Sequence, residues 1–243
     1  LEEKKNVQYI VIDMWEPYLD IAKVQFPWAT VAIDSFHVMQ HLSFAVHKVR
    51  CRIIRKFDKK SEEYFLLKKY GYLLKSSPNP WNEKVKIKRL RAELNEYQLL
   101  QRIIKIDPEL EILHNYYTGY KYFNTHSDYN KACQNFDFVI RNYEGIIIPE
   151  LMEVVAMFIK WKEYILNSFI CVEGVRLSNG PIEGANSQIK KLMKVANGYG
   201  NFYRFRNRIM FCDNKEINLS PLHNKITKIK RKPRGKYKKI SQN

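Results

Sequence analysis

Two aspartates follow directly on segments that are typical of buried strands. Asp13 comes after the apolar run 7–12 and Asp34 after the run 30–33, and both runs are rich in β-branched residues. Functional groups of open α/β sheets gather at the carboxyl ends of the strands, so the two aspartates could share one crevice. For either aspartate, a helix cap or a turn is the alternative interpretation.

A third carboxylate, Glu183, lies where a loop enters a helix. Asn179 or Gly180 is the expected cap of this helix, because both residue types are favoured there. Helical spacing places a carboxylate, an amide and two cations on one exposed face: Glu183, Asn186, Lys190 and Lys194. Such a face suits a metal ion and a DNA backbone, although an acid in a first turn is also favourable through the helix dipole alone.

The charge balance points to a polyanionic partner. The chain has 42 Lys and Arg against 25 Asp and Glu, a formal charge of +17, which favours nucleic acid. Between Arg176 and Arg208, Glu183 is the only acid among seven basic residues, and arginines alternate with aromatic residues over 198–208. Nine basic residues and no acid occupy 224–243. This composition predicts a flexible phosphate-binding arm, with a merely solvated tail as the alternative.

The rest of the sequence predicts a short sheet followed by helices. A helix with Pro17 near its start separates the two strand-like runs, and this strand-helix-strand order implies parallel pairing. From Val38 the apolar spacing becomes helical, and Asp107 is an expected N-cap with Pro108 in the first turn. Further helices are expected near Glu62–Lys75, Glu83–Lys105, Pro108–Phe123, Asp128–Tyr143 and Pro149–Phe169. With no comparable strand-like run in this stretch, an all-helical insertion is predicted.

Other residue types give weaker signals. His37 and His41 lie one helical turn apart, as in some transition-metal sites, but no cysteine or further acid nearby completes four ligands, which favours structural histidines. Aromatic residues of the helical stretch, Trp81 among them, could stack on unpaired bases, although core packing is the commoner role. The four cysteines are scattered and the most apolar long segment, 151–175, contains charges. A reducing cytoplasm therefore fits, and no membrane association is expected.

Four linked motifs, in order along nearly the whole chain, resemble the ISL-three family of insertion-sequence transposases. They are Asp13-Met14-Trp15-x-Pro17-Tyr18, Phe26-Pro27-x-Ala29, Asp34-x-Phe36-His37-Val38 and Ser178-Asn179-Gly180-Pro181-Ile182-Glu183-Gly184-x-Asn186-x-x-Ile189-Lys190. The family is similar to other Asp-Asp-Glu recombinases, whose ribonuclease H-like core is interrupted by a helical insertion. The resemblance implies an α/β fold, mostly helical in this chain, with parallel strands. It divides the chain into part of such a core at 1–37, the insertion at 38–172, core helices at 173–216 and a basic flexible tail at 217–243.

The resemblance also implies a catalytic site. Asp13 matches the second catalytic aspartate and Glu183 the final glutamate. Asp34 and His37 match a companion motif with a catalytic or accessory role, and Asp34 is the alternative to Asp13. Two Mg²⁺ or Mn²⁺ ions about 4 Å apart, held by such acids, would activate water or a DNA 3′-hydroxyl and stabilise the leaving oxygen. The family's first aspartate has no counterpart, and the start at Leu1, in what reads as the middle of a domain, suggests an N-terminal truncation.

The function that follows is metal-dependent cleavage and strand transfer of DNA at insertion-sequence ends, by a homo-oligomer at the nucleoid of the bacterial cytoplasm. DNA contacts are expected from Asn186, Lys190, Lys191, Lys194, Arg204, Arg206 and Arg208. Because the first acid is missing, this chain alone is expected to be inactive. A remnant that only binds DNA or joins an oligomer is the alternative, and an RNA-binding protein, which no recognisable RNA motif supports, ranks last.

Overall fold

Two parallel strands, β1 (Tyr9–Ile12) and β2 (Thr30–Ile33), pair as the sequence predicts. They belong to a computed structural model that describes residues 3–142, 147–196, 198 and 200–213. The crossover between them is helix α1 (Glu16–Gln25), with proline in its first turn. Ile12 pairs with Ile33 in the sheet. Because the register is parallel, the residues that follow each strand emerge at the same edge of the sheet.

Helix α2 (Ser35–Ile54) starts directly after β2 and forms the centre of the core. The face predicted from apolar spacing is confirmed, since all five of its residues are buried: Val38, Leu42, Ala45, Val49 and Ile53. This face packs against α5 (Pro108–His126) and α7 (Pro149–Lys160). One cluster of buried apolar side chains thus runs from the sheet into the helical segment.

The remaining helices of this segment lie within the predicted helical stretches but have shorter bounds. They are α3 (Glu62–Lys69), α4 (Glu96–Ile104), α6 (Tyr129–Arg141) and α8 (Lys162–Asn167), with a 3₁₀ turn at Gly71–Lys75. Asp107 caps α5 by accepting a hydrogen bond from the amide of Glu109, and Pro108 lies in the first turn, as predicted. The chain is therefore α/β and mostly helical.

The prediction of helix over Glu83–Lys105 was wrong for its first half. Residues Val85–Ile87 (β3) and Ala92–Leu94 (β4) form an antiparallel hairpin, and α4 begins only after the N-cap Asn95. Lysines alternate with apolar residues over 84–88, which is the period of a strand rather than of a helix. The segment between β2 and Glu183 is therefore not all-helical.

A second hairpin follows α8. Its strands, β5 (Cys171–Val172) and β6 (Val175–Arg176), are joined by Glu173 and Gly174, whose φ angles are 52° and 79°. Two consecutive left-handed residues make the tight turn that suits a twisted hairpin, and glycine adopts this conformation without steric cost. The hairpin adds another short departure from the predicted helical stretch.

The aromatic residues divide between core and surface. Tyr116, Tyr120 and Trp161 are buried, which confirms core packing as their role. Trp81 differs, because 91% of its surface is exposed. Its two chain neighbours are nevertheless fixed, since Nδ2 of Asn95 donates hydrogen bonds to the carbonyl oxygens of Pro80 and Asn82. Aromatic residues of the helical stretch therefore lie both in the core and on the surface, and aromatic composition alone could not separate the two groups.

Two compact units divide the chain after Pro181. The first contains the sheet and the helical segment. The second contains most of α9 (Gly180–Val195) and all of α10 (Phe202–Asp213). The predicted basic tail at 217–243 lies outside the described residues.

Arg52 joins α2 to two other helices of the first unit. Its guanidinium donates to both carboxylate oxygens of Glu109 (2.5 and 3.1 Å) and of Glu150 (2.9 and 3.0 Å). These hydrogen bonds hold the pKa of Glu150 below its usual range and raise that of Arg52. Bidentate pairs of this kind fix helix orientation as well as adding energy.

We expect Arg52→Gln to lower the free energy of unfolding of the first unit by about 2 kcal/mol, because two half-buried carboxylates lose their partner. The loss is smaller than for a fully buried pair, because solvent partly screens these charges. Since the Glu150 pKa is lowered in the folded state, its contribution is present above the unfolded value of about 4.3 and is lost as the pH falls. Urea unfolding measured from pH 7 to pH 3 checks both statements. If Arg52→Gln unfolds with the same acid dependence as the parent chain, the network does not contribute in this way.

Candidate active site

Asp34 is a buried carboxylate with both oxygens committed to backbone amides. Its Oδ1 accepts from the amide of Phe36 at 2.7 Å, which caps α2, and its Oδ2 accepts from the amide of Asn179 at 2.5 Å. Only 5% of the residue is exposed. The cap interpretation is thus confirmed for Asp34, which also fixes the chain just before α9 to the edge of the sheet.

Asp13 differs from Asp34 in exposure and in the use of its oxygens. Its side chain is 46% exposed, and Oδ1 accepts from Nε2 of His37 at 2.8 Å and from Nδ2 of Asn179 at 2.9 Å. Among the residues that the structure describes, none donates a hydrogen bond to Oδ2 of Asp13. The carboxylate is therefore held in one orientation with one oxygen open to solvent, which is an arrangement that a hard divalent cation can use.

The chain reaches Asn179 through contacts that return it to the sheet. Helix α8 packs against β2, and Nδ2 of Asn167 donates to the carbonyl oxygen of Val31 at 2.8 Å. After the β5–β6 hairpin, the amide of Leu177 donates to the carbonyl oxygen of Ile170 at 3.1 Å. These bonds set the path of 177–179 and so bring Asn179 between the two aspartates.

Arg176 anchors the same path from inside the protein. Its guanidinium donates to the carbonyl oxygens of Ser168 and Asn124, both at 2.6 Å, and stacks 3.8 Å from the centre of the Phe169 ring. Burial lowers the pKa of Arg176, and the charges of Tyr120, Cys171 and Asp34 oppose that shift. Although Arg176 opens the basic block of the sequence, its hydrogen-bonding groups are used within the first unit.

The second unit presents the predicted polar face of α9. Glu183 lies in the first turn of the helix and is exposed, and so are the other three residues of the predicted face, Asn186, Lys190 and Lys194. Lys191 is exposed as well. Within the part of the chain that the structure describes, neither Glu183 nor any of these lysines takes part in an ion pair. Their charges are therefore available to a ligand.

The alternating arginines of 198–208 lie on a helix rather than on a strand. Arg204, Arg206 and Arg208 are exposed on α10, whose first turn is capped by Oδ1 of Asn201. With about 100° per residue, Arg204 and Arg208 share a side while Arg206 lies about 200° away. The helix thus splits these three cations between two surfaces.

A sequence profile of the ISL-three family of DDE transposases, described as "Transposase", matches residues 1–209. The chain belongs to this family of transposases. The resemblance seen in the four motifs is thereby confirmed, and with it the enzyme class of the family. No helix among the described residues of this transposase is both long and apolar enough to cross a membrane.

One curated relative has a different description. It is an "ATP-dependent protease" of Lactococcus lactis subsp. lactis, and it is 30% identical over 135 residues, which are 55% of this chain and 40% of that protein. The matched chain thus spans less than half of that relative's length. The sequence of this transposase contains no Gly-x-x-x-x-Gly-Lys-Ser/Thr phosphate loop. No solved structure matches the chain.

Metal ligands are sparse in the described part of the transposase. No group of three or more His, Cys, Asp or Glu side chains is placed to hold a metal ion within 3–142, 147–196, 198 and 200–213. The spacing of His37 and His41 therefore makes no site there. His37 instead holds Asp13, while burial and the neighbouring His37 lower the pKa of His41. The first unit offers Asp13 as a single oriented oxygen ligand.

Sequence reasoning missed the second role of Asn179. Its position near the start of α9 indicated only a helix cap. In the structure its backbone amide donates a hydrogen bond to Asp34 and its side-chain amide donates one to Asp13. A hint was present, because an asparagine just ahead of a candidate catalytic helix has two kinds of donor, the backbone N–H and the side-chain NH₂, for two carboxylates. The contact itself depends on the return of the chain over 145 residues and could not be read from spacing.

Proposed function

We propose that this transposase cleaves DNA at insertion-sequence ends and joins it to a target with Mg²⁺ or Mn²⁺, using Asp13 and Glu183 as metal ligands. The observation that carries the proposal is the half-exposed Asp13 carboxylate, oriented by His37 and Asn179 with one oxygen open. Oxygen ligands are those that Mg²⁺ and Mn²⁺ prefer. In this proposal the sheet and α1 form part of a ribonuclease H-like core.

Each residue near Asp13 has a distinct duty. His37 and Asn179 hold Oδ1, so that the open Oδ2 keeps its direction, and Asp34 holds the backbone of Asn179. Bound divalent ions would supply the activation of water or a 3′-hydroxyl and the stabilisation of the leaving oxygen. Asp34 is a positioning residue in this scheme, because both of its oxygens accept from backbone amides.

The exposed polar residues of the second unit supply the DNA contacts of the proposal. They are Asn186, Lys190, Lys191, Lys194, Arg204, Arg206 and Arg208. Phosphate neutralisation by such cations gives affinity without sequence preference. The proposal includes a basic arm at 217–243 that adds to this affinity, a homo-oligomeric active form and a location at the bacterial nucleoid.

A second candidate function is a remnant that binds DNA or joins an oligomer without catalysis. It is favoured by the absence of a three-ligand metal group from the described residues. The two candidates differ in one assay: Mg²⁺-dependent nicking of element-end DNA by this chain alone contradicts the remnant. Binding without nicking, together with nicking by the full-length protein, shows that further residues complete the site.

The experiment that tests the proposal compares charge-matched variants in the full-length protein. Glu183→Gln is expected to abolish nicking, whereas Asp20→Asn, which removes an exposed carboxylate on α1, is expected to leave the rate unchanged. Nicking of supercoiled DNA that carries the element ends is measured with Mg²⁺ and with EDTA. If a variant with both Asp13→Asn and Glu183→Gln nicks DNA at the wild-type rate, the assignment of these residues as metal ligands is rejected.

His37→Ala is expected to lower the cleavage rate by about 10- to 100-fold, because the partner that orients a ligating carboxylate is lost. His41→Ala is the matched control, since His41 lies one turn further along α2 and makes no hydrogen bond to Asp13. Rates at several Mg²⁺ concentrations give the measurement: excess metal restores part of the His37→Ala rate if orientation is the defect. Equal rates for the two variants would remove His37 from the site.

A further inference from the structure

A cleft in the helical segment of the first unit is lined by basic side chains. It has a volume of about 240 Å³ and lies between α2, α3 and the 3₁₀ turn Gly71–Lys75. Five of its lining residues are basic: His47, Arg50, Lys68, Lys69 and Lys75. No Asp or Glu is among the described residues that line it. With a rise of 1.5 Å per residue, His47 lies about 15 Å along α2 from His37, so the cleft is separate from the Asp13 site.

Two of these basic side chains are held in place by the fold. Nη1 of Arg50 donates to the carbonyl oxygen of Leu67 at 2.8 Å, and Nζ of Lys75 donates to Oγ of Ser43 at 2.9 Å. Gly71 allows the Arg50 side chain to pass, since a Cβ at Gly71 would lie 2.4 Å from Cδ of Arg50. Arg50 and Lys75 are therefore preorganised, and these two side chains have little entropy left to lose when an anion binds.

The positive charge of the cleft has no compensating carboxylate among the described residues. Arg52, two residues beyond Arg50, has two bidentate carboxylate partners. By contrast, none of the five basic residues of the cleft forms an ion pair within the described ranges. Tyr72, which also lines the cleft, donates its hydroxyl to Glu96 at 2.7 Å, and Glu96 itself is not a lining residue. Like charges gathered in a concavity repel one another and attract anions.

We propose that this cleft binds a phosphate group of the DNA backbone and forms a second point of contact between the transposase and its substrate. The inference rests on the proposed function, because it takes DNA as the substrate. Its chemistry is that of a phosphodiester: a compact anion that accepts hydrogen bonds from lysine and arginine at close range. A phosphate held here positions the duplex and carries no sequence information.

The test uses Lys68→Gln with Lys75→Gln, which removes two charges from the cleft and leaves Arg50 in place. Lys59→Gln with Lys121→Gln is the matched control, since both lysines are exposed in the same unit and lack ion pairs within the described ranges. The affinity of this chain for a duplex of about 30 base pairs is measured from about 50 to 200 mM salt. The slope of log affinity against log salt is expected to fall by about 1 to 2 for the cleft variant and to stay unchanged for the control.

The proposal is overturned if the salt-dependence slope of the cleft variant is unchanged from the parent chain. It is also overturned if the slope falls equally in the cleft variant and in the control. A separate result tests the proposed function: it is rejected if the variant with both Asp13→Asn and Glu183→Gln nicks DNA at the wild-type rate. If those two substitutions leave the nicking rate unchanged while the cleft variant has a smaller salt-dependence slope, the phosphate site is supported and the catalytic assignment is rejected. Thermal unfolding of both double variants, expected to match the parent chain, shows that the loss of slope is not a loss of folding.

Discussion

The Asp13→Asn variant of the full-length transposase is expected to cleave element-end DNA about 10³-fold more slowly than the parent, a loss of several kcal/mol of transition-state stabilisation. Asparagine keeps the size of the side chain and can still accept hydrogen bonds from His37 and Asn179. What it loses is the negative charge and, with one amide nitrogen in place of an oxygen, part of its capacity to hold a divalent ion. Single-turnover cleavage with saturating DNA measures the chemical step alone.

The control for Asp13→Asn is the unchanged fold and DNA affinity of the same variant. Asp13 is half-exposed and forms no part of the apolar core, so thermal unfolding is expected within about 0.5 kcal/mol of the parent. Duplex affinity in EDTA is also expected to be unchanged, because the proposed phosphate contacts lie on other residues. A cleavage rate within a factor of about three of the parent would remove Asp13 from the metal site.

The Asp34→Ala variant is expected to lose about 3 kcal/mol of unfolding free energy, since the substitution leaves two amides without their acceptor, those of Phe36 and Asn179. Cleavage is expected to fall with it, because Asn179 no longer reaches Asp13 with a fixed backbone. Asp34→Asn separates the two roles: its oxygen can still cap α2, but its amide nitrogen cannot accept from Asn179. Urea unfolding and cleavage rates of both variants give the comparison.

Asp58→Ala is the matched control for Asp34→Ala. Asp58 also accepts a hydrogen bond from an amide two residues ahead, that of Lys60 at 2.7 Å, but it is exposed. Water replaces the lost acceptor there, so a cost of less than about 1 kcal/mol is expected. Equal costs for Asp34→Ala and Asp58→Ala would show that the contact between Asp34 and Asn179 adds nothing to stability.

The parts of the fold that sequence could predict are those governed by local periodicity. The apolar face of α2 and the Asp107 cap of α5 follow from spacing and residue type, and both are present. The β3–β4 hairpin was missed because the alternation that marks it covers only a few residues, next to the strongly amphipathic α4. Short strands in a helical context give little signal against such a neighbour.

The candidate site shows the same limit at a longer range. Sequence placed Asp13 and Asp34 at adjacent strand ends, and the parallel register of Ile12 with Ile33 accounts for their closeness. Which aspartate is open and which is buried depends on Asn179, whose backbone and side chain arrive from far along the chain. That choice is a matter of tertiary packing, and no local pattern encodes it.

We propose that Asp13 and Glu183 are both metal ligands, and anomalous diffraction from Mn²⁺ in crystals of the protein with element-end DNA is the decisive measurement. We expect a Mn²⁺ ion within roughly 2.0 to 2.3 Å of a carboxylate oxygen of Asp13, and Glu183 bound to that ion or to a second one about 4 Å away. Mn²⁺ bound at the scissile phosphate with either carboxylate outside its coordination sphere would show that this carboxylate is not a metal ligand.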